Sequence, residues 1–278
     1  MEVAIDFVHY AIKSSNSLDI IWAPSSGTLP SWVCTFARPL TYQYAIPLIH
    51  SANSLNLTDV SSYAPYKASA GKSPRYSVFR NRGILSADGF IIGIIEACLS
   101  TSSDMDVMIR EARSFLDSKN PTMLMERDGI LCRTLVADRG DQGAMAPAWY
   151  PRALDYCLKT PSKSRVDTTH DRIPWMVKDF LLRVQDVIHD RQFVRSRSED
   201  LFGIAPAIAR EGDLICILYG RSVPVVLRKT SKVVSTDKDL YNLVGECYID
   251  GKMNGEAVME RERQAPLEAR FKEKFRII

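Results

Sequence analysis

Residues 211–229, EGDLICILYGRSVPVVLRK, and residues 241–256, YNLVGECYIDGKMNGE, decide the fold of this chain. Their short apolar runs are bounded by Gly, Asp and Asn, the pattern of strands joined by turns. Gly212-Asp213 opens the first run, and Gly220-Arg221-Ser222 separates it from the second. Pro224 has no N–H to donate, so Val223-Pro224 starts a strand or lies on an edge. Gly245, within the third run, predicts a bulge or a close backbone approach. In a regular pleat Leu243, Cys247 and Ile249 face one way, and Val244, Glu246 and Tyr248 the other. No residue here has the character of a catalytic group.

Upstream, residues 2–13 read as a helix and residues 18–22 as a short strand or helix end. Loops rich in Ser, Pro and Asn follow. Residues 78–82 and 84–87 predict a hairpin arm, and residues 91–98 a buried strand. In the middle of the chain Ser103-Asp104 caps a helix running through Asp117, its side-chain oxygens accepting the free N–H groups of the first turn. Met105, Met108, Ile109, Ala112, Phe115 and Leu116 recur there at spacings of three and four, one apolar stripe. Pro121 follows its stop.

A second, longer helix runs from Pro174, a proline tolerated in the first turn, to about residue 191. Trp175, Met176, Phe180, Val184, Val187 and Ile188 form its buried side, and Lys178, Arg183, Asp186, His189 and Asp190 its wet side. Residues 138–152 and 159–171 between the helices read as loops. The charged stretch 259–275 predicts a solvated helix or helices interrupted at Pro266, ending in a short tail, Phe275-Arg276-Ile277-Ile278. The expected fold is α+β: a helical middle segment packed against a small, mainly antiparallel β-sheet or partial barrel built largely from the C-terminal third. The N-terminal segment (1–100), the helical segment (101–192) and the β module with its charged tail (193–278) are expected to fold as one unit.

The net charge is +3, from 36 basic and 33 acidic side chains among 278 residues. So balanced a chain gives no basic field for nucleic acid or an anionic membrane. The cysteines, Cys34, Cys98, Cys132, Cys157, Cys216 and Cys247, are scattered without a CxxC pair and read as buried thiols rather than a disulfide framework. The first residues carry Glu2 and Asp6 and no basic leader, so no signal peptide is expected. The longest apolar run, residues 90–99, is broken by Gly93 and Glu96 and is too short to span a bilayer. The expected compartment is the cytosol.

The search for chemistry is negative. His9, His50, His170 and His189 are far apart and fit no metal-ligand spacing, and His189 reads as a surface residue. G-x-S-x-G, Walker A and G-x-G-x-x-G patterns are absent. Asp138-Arg139-Gly140-Asp141 resembles a carboxylate pair but reads as a turn. Asp213, Glu246, Asp250 and Glu256 could converge on a hard cation, which needs six or more oxygens; turn-capping and a solvated strand face are the simpler account. Arg191, Arg195 and Arg197 around Phe193 are offset by Glu199 and Asp200 and read as a solvated connection rather than an RNA platform. Trp22, Trp32, Trp149 and Trp175 read as core anchors rather than a ligand box. Catalytic residues, cofactor-binding residues, metal ligands and cofactors are all expected to be none.

The opening stretch closely resembles the C-terminal region of fungal heterokaryon-incompatibility proteins. Their pattern is a Gly-Asp, an apolar strand ending in Gly, a P-x-x-L-R strand, then L-V-G-E-x-Y-x-x-G-x-M-x-G-E. It falls on Gly212, Asp213, Gly220, Pro224, Leu227, Arg228, Leu243 to Glu246, Tyr248, Gly251, Met253, Gly255 and Glu256. Upstream, Leu29-Pro30-Ser31-Trp32 is similar to the family's L-P-S-W segment and Tyr66-Lys67-Ala68-Ser69 to its A-S strand. Leu85 through Ile95 is similar to its L-x-x-x-G strand, residues 133–138 (RTLVAD) to its R-T-L-x-A-D segment, and Gly203-Ile204-Ala205-Pro206 to its G-x-x-P.

The chain departs from the pattern after Trp32, where Cys34, Thr35 and Phe36 replace Pro-Asp-Trp, and at Gly93, where relatives often carry aspartate. The family's defining HET domain, a Toll/interleukin-receptor-like α/β fold, precedes L-P-S-W; here only about thirty residues come before Trp32, so that domain is expected to be absent. The resemblance implies a non-enzymatic accessory or regulatory region acting in self/non-self recognition through protein–protein contact. The expected partner is a protein, such as one bearing the missing HET domain, with no nucleic acid and no membrane. A remnant without activity, a small-ligand sensor with a pocket between the helical zone and the sheet, and a hydrolase are the competing readings.

Overall fold

In the computed structural model, residues 2–21, 29–33, 66–116, 125–160, 173–196, 200–230, 239–264 and 273–278 are described. Trp22, Cys34, His50, Asp117, Pro121, His170, Arg197, Glu199, Pro266 and most of the expected loop 159–171 lie outside them. Helix α1 (Glu2–Ser15) precedes a hairpin of β1 (Tyr76–Phe79) and β2 (Ile84–Ile94), and β3 (Ala97–Ser100) continues from β2. Helices α2 (Met105–Phe115), α3 (Arg127–Leu135), α4 (Tyr150–Lys159) and α5 (Trp175–Ile188) follow. The remainder is β4 (Arg191–Ser196), β5 (Leu201–Pro206), β6 (Leu214–Leu218), β7 (Val225–Lys229), β8 (Leu240–Glu246), β9 (Tyr248–Ile249), α6 (Glu256–Gln264) and β10 (Glu273–Ile277).

The predicted strand module is there, but it does not close by itself. Strands β6, β7 and β8 form an antiparallel meander, β8 pairs in parallel with β10, and β2 pairs antiparallel with both β10 and β6. The ring β2–β10–β8–β7–β6–β2 is therefore a five-stranded barrel, with β1 added beside β2. Closure removes the open edges that a meander would present. The C-terminal residues expected as a tail are a barrel stave instead: Phe275 and Ile277 are buried in its lumen. Their alternation with Lys274 and Arg276 is the period-two pattern of a strand, masked by the charge around it.

Leu85 and Ala87 of β2, Cys216 and Leu218 of β6, Val225 and Leu227 of β7, and Leu243 of β8 meet those two side chains in one cluster. Helix α1 stops one end of this core with Ile5, Val8 and Ile12. Each such burial contributes about 1.5–3 kcal/mol of transfer free energy. Trp32 joins the same cluster, its indole N–H donating to Gly83 O at 2.9 Å, so it is the core anchor expected of it.

Two strands leave the barrel and build a second sheet, β3-β4-β5-β9. Strand β2 shifts register between Ile91 and Gly93 and continues into β3, while β8 continues through Cys247 into β9. The register also shifts opposite Gly245, which has φ +146° and stands close against Pro206. This is the predicted bulge, and it corrects the regular pleat: Leu243 points into the barrel, whereas Val244, Cys247 and Ile249 share the layer between barrel and sheet. An extra residue in a strand reverses the facing of everything after it.

The far face of the second sheet, with Phe193, Phe202, Ile204 and Tyr248, is covered by α2–α5. Asp104 caps α2 as predicted, accepting from Asp106 N at 3.0 Å and Val107 N at 3.2 Å. The architecture is thus α+β, a helical middle segment on a mainly antiparallel sheet and barrel. Several local expectations are corrected. The expected loop 138–152 stops short at its end, because Tyr150–Lys159 is helix α4, with Tyr150, Ala153, Leu154 and Cys157 as a buried stripe. Residues 18–21 are a turn rather than a short strand or helix end, and residues 66–69 lead into a turn rather than forming a strand. Trp175 is 65% exposed and packs on Trp149 with ring centres 5.3 Å apart, so it is no core anchor. The Arg191 region is an interior strand, not a solvated connection.

Candidate functional site

Helix α3 ends in an unusual turn: Ala137 and Asp138 both have φ of 51°, the left-handed region that non-glycine residues rarely occupy. Such residues cost about 1–3 kcal/mol each and persist where their surroundings over-determine them. Here the Asp138 N–H donates to Arg133 O at 2.7 Å, and the Tyr66 hydroxyl donates to Ala137 O. From α5, Arg183 donates to Arg139 O at 3.1 Å, and the Arg139 guanidinium lies 4.7 Å from the centre of the Tyr66 ring.

The turn faces the loop after β9. Arg133 holds Asp250 through two hydrogen bonds of 2.8 Å, and the Tyr248 hydroxyl donates to the same carboxylate at 3.1 Å. The Tyr66 and Tyr248 rings meet edge to face at 6.4 Å. Lys67 N donates to Met253 O, and Ile249 N to the Met253 sulfur at 3.4 Å. Three segments far apart in sequence, around residues 66–69, 133–138 and 248–256, converge in this junction between helical layer and sheet.

Burial sets its electrostatics. Desolvation pushes Tyr66 up to about 12 against the opposing pull of Arg139, Arg183 and Arg191, and pushes Tyr248 well above the ordinary phenol range. Both phenols stay protonated donors at neutral pH. The hydrogen bonds that Arg133 donates to Asp250 hold its guanidinium charged. Asp138 is raised above the usual carboxylate range by desolvation, with Asp250 and Glu256 adding to the shift and Arg139 and Arg133 opposing it. The junction offers a fixed network and no activated nucleophile.

Two more arginine knots tie the barrel. Arg221, fully buried, donates to Leu18 O, to Ile21 O and to Glu246 Oε1 at 3.1, 2.9 and 2.8 Å. Asp19 completes that knot by accepting from Ser222 N and the Ser222 hydroxyl. Arg228 grips Asp213 through two contacts of 2.8 Å, while Asp213 also caps Arg210 N. The four carboxylates weighed for a cation site therefore go separate ways: Asp213 to Arg228, Glu246 to Arg221, Asp250 to Arg133, and Glu256 to Asn254 N at 2.6 Å. No group of three metal-ligating side chains stands together among the described residues.

Asp138 ends the turn after α3 and Asp141 begins a separate 3-10 turn, Asp141–Gly143, spanned by Gly140 N donating to Ala144 O. Arg191 is buried and donates to Val187 O, its pKa pushed down to about 10 by burial. Arg195 stacks on Phe115 at 4.6 Å and donates to its carbonyl. His9 packs on the Tyr76 ring, and His189 lies 3.3 Å from Asp190 at the surface. The described cysteines are free; burial pushes Cys132 up to about 12 and Cys157 to about 11, which leaves these thiols unreactive. Sequence reading missed the arginines. Their signal was partly present, since Arg133 opens the R-T-L-x-A-D segment and Arg221 sits in a tight turn between two apolar strands, whereas Asp250 falls on an unspecified position of its motif.

A cleft of ≈ 330 Å³ opens elsewhere, on the outer face of β1, β2 and β10, and not between helical layer and sheet. No described helix is long and apolar enough to cross a membrane.

Residues 169–266 match the family model of the Het-6 beta-barrel domain. The chain carries a Het-6 beta-barrel domain, a domain of heterokaryon-incompatibility proteins. No curated protein and no solved structure matches the chain. The matched residues contain β4–β9 and α6, including both Arg221 and Asp250, while β2 and β10, which close the Het-6 barrel, lie outside them.

Proposed function

We propose that this Het-6 barrel protein is a non-enzymatic accessory or regulatory region in fungal self/non-self recognition, acting in the cytosol through contact with a protein partner. The observation that carries the reading is the two-sided character of α1. One side stops the barrel; the other shows Val3, Phe7 and Tyr10 to solvent at 84%, 40% and 71% exposure. Spacings of four and three put these three side chains on one stripe. Aromatic side chains on a rigid element are the usual anchors of protein interfaces. Asp6, in ion contact with Arg80 at 3.1 Å, gives the stripe a polar rim.

The polar chemistry supports the same reading. Buried carboxylates are held by arginines, and the described histidines bear on Tyr76 and Asp190 rather than on a serine or cysteine. A hydrolase needs a nucleophile and base within hydrogen-bond reach.

The partner we favour is a protein bearing the HET domain. Light scattering of the purified chain mixed with such a protein is expected to show a complex mass. Val3→Asp together with Tyr10→Asp is expected to abolish it while leaving the fold intact, because these two side chains are 84% and 71% exposed. A mixture that stays at the two separate masses sinks the proposal, and so does a complex indifferent to both substitutions.

A further inference from the structure

We infer that the outer face of β1, β2 and β10 is a binding site for a small, hydroxyl-bearing phosphate monoester. Leu85, Ala87, Phe275 and Ile277 point into the barrel, so their neighbours Ser86, Asp88, Lys274 and Arg276 face outward. The register sets them in two rows across the three strands. Ser77 lies opposite Ser86, and Ser86 opposite Arg276; Asp88 lies opposite Lys274, and its N–H donates to Arg75 O at 2.9 Å. Arg75, Tyr76, Ser77, Ser86, Asp88 and Lys274 line the cleft of ≈ 330 Å³. That is the size of a small-ligand site, at the low end of a range of about 300–1,000 Å³.

What marks the cleft is unmet demand. Elsewhere in the fold the buried carboxylates Asp213, Glu246 and Asp250 are each held by an arginine. Here Arg75, Ser77, Ser86, Asp88 and Lys274 make no side-chain hydrogen bond or ion pair among the described residues. Ser86 is only 8% exposed and lines the cleft.

The donors suit one chemistry. An arginine fork, a lysine ammonium and two hydroxyls together surround a tetrahedral oxyanion with charge-assisted hydrogen bonds. Within the cleft two cations, Arg75 and Lys274, stand against the one carboxylate of Asp88. Asp88 repels a bare anion but accepts a hydrogen bond, so it favours a phosphate whose remainder carries a hydroxyl. Acetate offers two oxygens in a plane and no such hydroxyl, and fits the same donors less well.

Calorimetric titration of the full chain with glycerol 3-phosphate, inorganic phosphate and acetate tests the site. Glycerol 3-phosphate is expected to bind about fivefold more tightly than inorganic phosphate, with acetate weaker than both. Arg75→Met and Lys274→Met are each expected to weaken binding about tenfold, the loss of one charge-assisted contact. Asp88→Asn should tighten inorganic phosphate and erase the preference for glycerol 3-phosphate. Absence of heat up to about 10 mM ligand, a millimolar ceiling for a specific small-ligand site, overturns the proposal. Equal binding of acetate also overturns it, as does an equal loss in the remote surface variant Lys178→Met.

Discussion

At the junction under the helical layer, Arg133 holds Asp250 through two hydrogen bonds while Tyr248 donates to the same carboxylate. On the outer face of the barrel, Arg75, Asp88 and Lys274 carry the same kinds of charge across one row of strands and hold no side-chain partner among the described residues. The first region is drawn out of water, and a charge there is tolerable only with a partner. The second keeps access to solvent, so its groups stay available. The same residue types are fold determinants in one place and recognition groups in the other, and exposure decides which.

The comparison breaks most readily at the deepest knot. Arg221→Met leaves Asp19 and Glu246 buried without their shared cation, and removing one side of such a group costs about 3–5 kcal/mol. Urea unfolding is expected to show that loss as a lower midpoint with an unchanged slope. A loss under about 1 kcal/mol would mean that burial does not enforce pairing here. Arg133→Met is expected to cost less, about 1–3 kcal/mol, because Asp250 keeps the Tyr248 hydroxyl and Arg133 itself is partly exposed. The same unfolding measurement ranks the two; a larger loss at Arg133 would reverse the order that burial sets.

How far these regions were legible from sequence follows from the range of the signal. The strands β6, β7 and β8 and the bulge at Gly245 rest on local patterns, and all were readable. That β2 and β10 close the ring was not, because nothing within a strand names its partner across more than a hundred residues, and the charges of residues 271–276 hid the alternation of Phe275 and Ile277. The same limit explains the site. Asp213, Glu246, Asp250 and Glu256 look alike in sequence, and only the fold assigns each its own partner. Helix α4 was missed for a local reason: Gly, Pro and Trp just before it read as loop chemistry, yet Pro151 stands in its first turn, where proline is tolerated.

Asp138 lies between the two regimes, part of the junction but with 37% of its side chain exposed. Desolvation raises its pKa, so the folded chain keeps the Asp138 proton to higher pH than the unfolded chain does. In the window just above the ordinary aspartate range the folded state therefore binds more protons, and stability falls as pH rises through it. Asp138→Asn removes that penalty, and asparagine also accepts the left-handed backbone of the turn. The expected gain at neutral pH is under about 1 kcal/mol, since a side chain this exposed is well screened. It should vanish as pH drops below the ordinary aspartate range. Thermal unfolding of both proteins across that range is the measurement, and a gain independent of pH would assign the effect to the backbone alone.

The smallest effect is expected where the partners are missing. Lys274→Met and Arg75→Met should each leave stability within about 0.5 kcal/mol of the parent, as for surface changes that break no contact. The contrast with Arg133 is then not one of charge or strand position, since Lys274 too lies directly across a strand from a carboxylate, Asp88. It is one of solvent: an ammonium that water already satisfies contributes little to folding and remains free to be claimed by a ligand. Adding glycerol 3-phosphate should raise the melting temperature of the parent, because a ligand that binds only the folded state stabilises it. The same addition should do little for Lys274→Met. A parent that melts identically with and without the ligand would return this face to the class of solvated surface.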